Sequence, residues 1–207
     1  MEKTAENNPE TFTDTLRTRF KNIAVPIAAF LLRLGLKPNT VTLFGLIGHF
    51  VAGYFIIRGM LSIGGLVVLF MAPFDFLDGT MARLRGESTK LGAFIDSITD
   101  RYSEFVLFGS LLLFYLQQQD WLACVLVYLA ITGSVMVSYI RSKAEGLQFE
   151  AKIGLLSRVE RYIVLVPGLI FGYPILSIWI IAILANFTAL QRVYHVRNQA
   201  VHEHQKD

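Results

Sequence analysis

The sequence predicts an all-α integral membrane protein, with six transmembrane helices preceded by an amphipathic juxtamembrane helix. Three observations lead there. Hydrophobic residues make up 54% of the 207 and charged residues only 17%, with a mean hydropathy of +0.50. A soluble domain carries more charge, about 25%. The apolar residues come in long runs rather than amphipathic stripes. Finally, threading those runs across a bilayer leaves the basic residues almost entirely on one side.

Taken in order, residues 1–11 form a polar tail carrying Glu2, Lys3 and Glu6. Residues 12–36 mix Arg17, Arg19, Lys21 and Arg33 with Ile23, Val25, Ile27, Phe30 and Leu31, and contain Pro26. That segment is too charged at its start to span and is expected to be interrupted at the proline, so an interfacial helix fits it. A cleaved signal peptide does not, because the first 22 residues lack an apolar core. The six-helix domain is then 37–197, with spans near 39–59, 61–84, 89–117, 121–144, 157–173 and 174–195, and 198–207 is a polar tail. Very short turns, QQQD and GYP, separate the third span from the fourth and the fifth from the sixth.

Six spans put both termini on the same side. Of the 19 Lys and Arg, only Arg58 falls at an opposite-side end. The termini and the long connections are therefore expected in the cytoplasm, in a multi-pass protein of the cell membrane. The net charge of +3 reports this topology and calls for no nucleic-acid partner. The single cysteine, Cys124, lies in the fourth span, where it packs as a small hydrophobe.

Against this apolar background, Asp75, Asp78, Asp96 and Asp100 stand out. An ionised carboxylate at membrane depth costs ~2.5–3.5 kcal/mol on insertion scales, so four together require a compensating partner. Spacings of three and four residues put each pair on one helical face. Asp75, Asp78, Gly79, Ala82 and Arg83 share a stripe of the second span, and Gly92, Asp96 and Asp100 share one on the third. The connection RLRGESTK makes the two helices antiparallel neighbours, so the stripes can face each other. Gly79 and Ala82 leave room for a neighbouring helix or a ligand. Two such pairs could hold two divalent cations about 3.5–4 Å apart. Ligation by carboxylates without histidine points to Mg²⁺, or Mn²⁺, rather than Zn²⁺.

The string Asp75-x2-Asp78-Gly79-x2-Ala82-Arg83-x8-Gly92-x3-Asp96-x3-Asp100 resembles the signature of the CDP-alcohol phosphotransferase family. The resemblance implies a transferase that moves a substituted phosphoryl group from a CDP-linked donor, usually CDP-diacylglycerol, to an alcohol and releases CMP. It implies that Asp75 and Asp96 bridge two metals, with Asp78 on one and Asp100 on the other. Asp100 is then also the general base. It further implies donor contacts from Gly79, Arg83 and Thr89, with Asn39, Thr40, Val41 and Thr42 opening the first span, and a homodimer within membrane lipid. On its own, Asn39 after Pro38 reads as a helix cap, and Thr89 as the cap of the third span.

Five cations lie on and after the fourth span or at the end of the sixth: Arg141, Lys143, Arg158, Arg161 and Arg192. Together they suit a dianionic phosphate on a polyol acceptor, although cytoplasmic helix ends are basic in any case. SYIRSKAEGL, LSRVER and QRVYHVR resemble segments of the phosphatidylinositol-phosphate and archaetidylinositol-phosphate synthases. This implies that Ser138, Arg141, Lys143, Arg158 and Arg192 hold inositol 1-phosphate, with Lys and Arg exchanged at 141 and 143. Glycerol 3-phosphate is the next acceptor. His49 is expected to be a packed, hydrogen-bonded core histidine. Glu104 continues the Asp96–Asp100 stripe, either supporting the site or pairing with another helix.

The rival class is an ion-coupled transporter, since acids inside membranes also mark cation pathways. Here they cluster at one end, and no paired interrupted helices lie at mid-membrane. A structural scaffold gives no reason to bury four like charges.

Overall fold

A computed structural model describes residues 12–86 and 89–204, and among these the regular structure is entirely helical. The helices are α1 (Phe12–Arg33), α2 (Pro38–Ile57), α3 (Leu61–Met71), α4 (Phe74–Leu84), α5 (Lys90–Gln117), α6 (Trp121–Gly146), α7 (Arg158–Ile170) and α8 (Pro174–His204). Four stretches are long and apolar enough to cross a membrane: Pro38–Ile57, Leu61–Leu84, Trp121–Gly146 and Pro174–Glu203. The other two expected spans differ for identifiable reasons. α5 has the length, at 28 residues, but carries Asp96, Asp100, Arg101 and Glu104 within its first fifteen residues. α7 has only 13 residues.

Prolines explain two further differences. The second expected span is divided into α3 and α4 at Ala72–Pro73. Pro73 has no N–H to donate to the preceding turn, yet its dihedrals stay helical, so Leu61–Leu84 still runs as one rod. α1, by contrast, continues through Pro26, where an interruption was expected. Ala24 and Ala28, on either side of that proline, are buried with Val41, Leu77 and Met81, so docking on α4 holds the helix together. α8 extends to His204, well beyond the expected end of the sixth span.

The main core is formed by α2, α3 and α5–α8 around Ile56, Val68, Leu107, Leu111, Leu165 and Ile181. Small residues set its tightest contacts. A Cβ at Gly133 would lie 2.9 Å from the backbone N of Asn186, so α6 and α8 meet there nearly backbone to backbone. The pairs that matter for the site are α2 on α4, α2 on α5 and α1 on α4. They bring the starts of α2 and α5 to the acidic face of α4.

Candidate active site

α2 starts at Pro38, whose fixed φ and missing N–H suit a first helical position. Lys37 is therefore the N-cap, and the expectation that Asn39 caps this helix is corrected: Asn39 is the next residue in, and exposed. Thr89 does cap α5, accepting a hydrogen bond from the Gly92 N–H at 3.0 Å.

Between these two helix starts and α4 lies a cavity of about 630 Å³. Asn39, Thr40 and Thr42 line it from α2, and Asp78, Gly79, Ala82 and Arg83 from α4. Thr89 and, from α5, Gly92, Ala93 and Asp96 complete it. A Cβ at Gly79 would meet only the Arg83 guanidinium, at 3.6 Å, so the glycine leaves space on the cavity side rather than for a helix. The Thr42 hydroxyl donates to Asp78 Oδ2, and the Gly79 N–H donates to Asp78 Oδ1 at 2.5 Å. Arg83 Nη2 donates to Thr80 Oγ1 at 3.0 Å, which holds the guanidinium along the same face. Val41, by contrast, turns away into the cluster beneath α1. Lys37 and Arg85 also line the cavity. Sequence reasoning missed both because basic residues at the ends of membrane-scale helices need no site to explain them.

Asp75 and Asp100 do not line this cavity and are half-buried, and Arg158 of α7 joins them. Its Nη2 donates to Asp75 Oδ2 at 2.7 Å, and its Nη1 contacts Asp100 Oδ1. The Tyr162 ring lies under the guanidinium, 5.3 Å from Cζ to centroid. The four carboxylates form one electrostatic group: Asp78 is acted on by Asp96 and Asp75, and Asp100 by the same two. Arg101 adds a 3.6 Å contact to Asp100 Oδ2, while its Nη1 donates to the Ser97 carbonyl at 2.7 Å.

The residues here fit the hard divalent cations that the motif implies. The donors are carboxylate oxygens, and one organic cation already spans two of them. Among the described residues no three ligand-type side chains converge into a closed shell. Arg158 bridges Asp75 and Asp100 instead.

The remaining cations divide in ways the sequence did not indicate. Arg161 is buried against Glu104, with Nε and Nη2 at 2.9 and 2.6 Å from Oε1 and Nη1 on the Leu156 carbonyl. Its place among phosphate-binding cations is therefore corrected, and Glu104 is an interhelical partner. Arg192 is buried with Nε on the Ile153 carbonyl at 2.8 Å and Nη1 on the Val137 carbonyl at 2.5 Å. Arg141 pairs with Glu145 on the surface of α6, Lys143 is exposed, and Ser138 is half-buried. The segment 147–157 is tied to α8 at further points: Leu156 N–H to Thr188 Oγ1, and a reciprocal pair between the Glu150 backbone and the Gln199 side chain.

An acidic face and a cavity walled by two helix starts thus sit on a chain with four membrane-scale stretches among the described residues. Residues 36–194 match the CDP-alcohol phosphatidyltransferase family, and the chain belongs to it. It is an enzyme of that class. It is similar to the phosphatidylinositol phosphate synthase of Mycobacteroides abscessus, 35% identical over 192 residues that cover 87% of this chain and 86% of the relative. It also resembles the archaetidylinositol phosphate synthase of Pyrococcus horikoshii, 31% identical, covering 89% and 96%. Among solved structures, Mycobacterium tuberculosis phosphatidylinositol phosphate synthase with CDP-DAG bound superposes with a TM-score of 0.79 at 31% identity, covering 84% of this chain and 94% of that one. The same enzyme in complex with manganese and citrate also gives 0.79.

Proposed function

We propose that the enzyme transfers the phosphatidyl group of CDP-diacylglycerol, or of an ether-lipid equivalent, to a hydroxyl of inositol 1-phosphate and releases CMP. The carrying observation is the junction of the cavity wall, which holds Asp78, Asp96 and Arg83, with the Asp75–Arg158–Asp100 contact. A nucleotide diphosphate and a phosphorylated acceptor need such a meeting of acids and cations. The names of the relatives support the donor and the acceptor.

In this reading Asn39, Thr40, Val41, Thr42, Gly79, Arg83 and Thr89 form the donor site, Val41 through the backbone of its turn. The acceptor oxygen forms a bond to the lipid-side phosphorus as the bond to CMP breaks, and Asp100 accepts the hydroxyl proton. Asp75, Asp78, Asp96 and Asp100 would hold two Mg²⁺ ions, which when bound neutralise the diphosphate and stabilise the leaving CMP. The manganese-bound relative supports a divalent cation. Arg158, with Ser138, Arg141 and Lys143, takes the acceptor phosphate, while Arg192 holds the segment 147–157 in place.

The protein is read as a homodimer of six-span subunits in the cell membrane, with the domain at 37–197 and the site on the cytoplasmic side. α1 is the juxtamembrane helix: Ala24 and Ala28 face the protein, while Ile23, Ile27, Phe30 and Leu34 remain exposed for lipid. The test is CMP release by purified protein given CDP-diacylglycerol and Mg²⁺, with inositol 1-phosphate and glycerol 3-phosphate compared as acceptors. Turnover with glycerol 3-phosphate alone would replace the acceptor, and no CMP with any acceptor would sink the reading.

A further inference from the structure

We propose that His49 and Tyr162 are a positioning pair that aims Arg158 at Asp75 and Asp100. The proposal rests on the reading above that these carboxylates are metal ligands. His49 is fully buried in α2, and its Nδ1 lies 2.7 Å from the Gly45 carbonyl. A carbonyl only accepts, so a neutral imidazole here carries its proton on Nδ1 and leaves Nε2 with a lone pair. Tyr162 Oη lies 3.1 Å from Nε2 and must donate to it. The tyrosine ring, edge-on to the imidazole at 5.9 Å between centroids, is thereby fixed at its far end. Its face carries the Arg158 guanidinium.

Arg158 and Tyr162 are four residues apart on α7, so the two side chains share a face of that helix. The arginine fork then reaches Asp75 on α4 and Asp100 on α5. Gly45 closes the circuit, because its bare Cα lies against Asp75: a Cβ there would be 3.5 Å from Oδ1. One continuous contact chain thus runs from the α2 backbone to the acids through three side chains.

Simple packing does not account for this arrangement. α2 packs chiefly on α3, α4 and α5, and α7 chiefly on α3 and α8. The bond from Tyr162 to His49 therefore joins two helices that are not major packing partners. Its consequence is local: the orientation of the tyrosine ring, and through it the direction of the guanidinium. If Arg158 competes with a metal for Asp75 and Asp100, loosening it must tighten metal binding. That sign is opposite to the effect of general damage to the site.

The test uses Mn²⁺ alone as probe, titrated by electron paramagnetic resonance into the full chain in detergent without substrates. Arg158→Gln is expected to tighten Mn²⁺ binding about tenfold or more, and Tyr162→Phe and His49→Leu about threefold, the range of charged and neutral hydrogen bonds. His49→Gln, which can still accept from Tyr162, should restore the wild-type value. In an Arg158→Gln background the Tyr162 and His49 substitutions should have no further effect. Tyr162→Phe keeps the ring, and a single cooperative thermal transition above the assay temperature shows that it folds, even if the midpoint falls by the cost of one buried hydrogen bond. Equal shifts in both backgrounds, weaker binding, or no shift in either would overturn the proposal. These outcomes need no acceptor, so a failure of the transferase reading in the CMP assay is seen separately.

Discussion

The four aspartates of α4 and α5 and the five cations of α6–α8 look alike in the sequence: like charges, grouped at helix ends, read onto one membrane face. In three dimensions they behave differently. The aspartates stay a group, two on the cavity wall and two around Arg158. The cations are split among separate duties. Arg158 joins the acids, Arg161 is buried on Glu104, Arg192 holds two backbone carbonyls, and Arg141 pairs on the surface. A shared helical face predicts a shared site only where the partner also comes from a neighbouring helix. Where partners come from distant segments, equal charges conceal unequal roles.

The largest effects are expected in the acidic group. Asp100→Asn keeps the shape but cannot accept a proton, and should lower turnover about 10²–10⁴-fold, the usual contribution of a positioned base. Asp75→Ala should lose at least as much, and chelating the divalent cation should abolish CMP release until Mg²⁺ is restored. Thermal unfolding in detergent should find both variants folded. An Asp100→Asn enzyme with near-normal turnover would remove the aspartates' claim to be a single site.

Next comes the cation furthest from chemistry. Glu104→Gln leaves Arg161 buried with a neutral partner, and loss of one side of such a pair costs about 3–5 kcal/mol. A marked drop in thermal midpoint is expected, with the surviving folded fraction keeping its substrate affinities. Replacing both, Glu104→Leu with Arg161→Met, should recover much of the loss. If Arg161→Met instead raised the acceptor KM at unchanged stability, the division between structural and site cations would be wrong.

This division explains what could be read in the sequence. The helices and the acidic stripes were legible because both follow from spacing within one segment. So was the cap at Thr89, which bonds only three residues away. Asn39 was misread because Pro38 claims the first helical position, a preference stronger than that of an asparagine for the cap. Long-range partners were hidden. Nothing local to Glu104 indicates that it meets a residue 57 positions later, and nothing near Val137 indicates Arg192. Pro26 and Pro73 show the same limit, since α1 runs unbroken through one while the other marks the α3–α4 junction without ending the rod.

Arg192 lies between the extremes. Arg192→Ala removes two charge-assisted hydrogen bonds, on Ile153 and Val137, that fasten the segment before α7 to α6 and α8. Since that segment delivers Arg158, the acceptor KM should rise about tenfold, the lower end for bonds from a charged donor. The KM for the CDP-lipid should not move. Arg192→Lys should not rescue, because one ammonium cannot reproduce a fork aimed at two carbonyls. A full rescue by lysine would instead mean that charge facing the acceptor is what matters.

The smallest expected effect is the most discriminating for the acceptor. Arg141 and Glu145 are an exposed i,i+4 pair, and such pairs contribute about 0.3–0.5 kcal/mol. If Arg141 is only a surface cation, Arg141→Ala will leave both stability and acceptor KM within that margin. If it turns from Glu145 to a bound phosphate, the acceptor KM will rise while stability stays flat, and Glu145→Gln, which frees the guanidinium, will lower it. Opposite signs from the two partners of one pair cannot come from a loss of stability, which would move them together. That measurement decides whether the acceptor face reaches out to α6 or ends at Arg158.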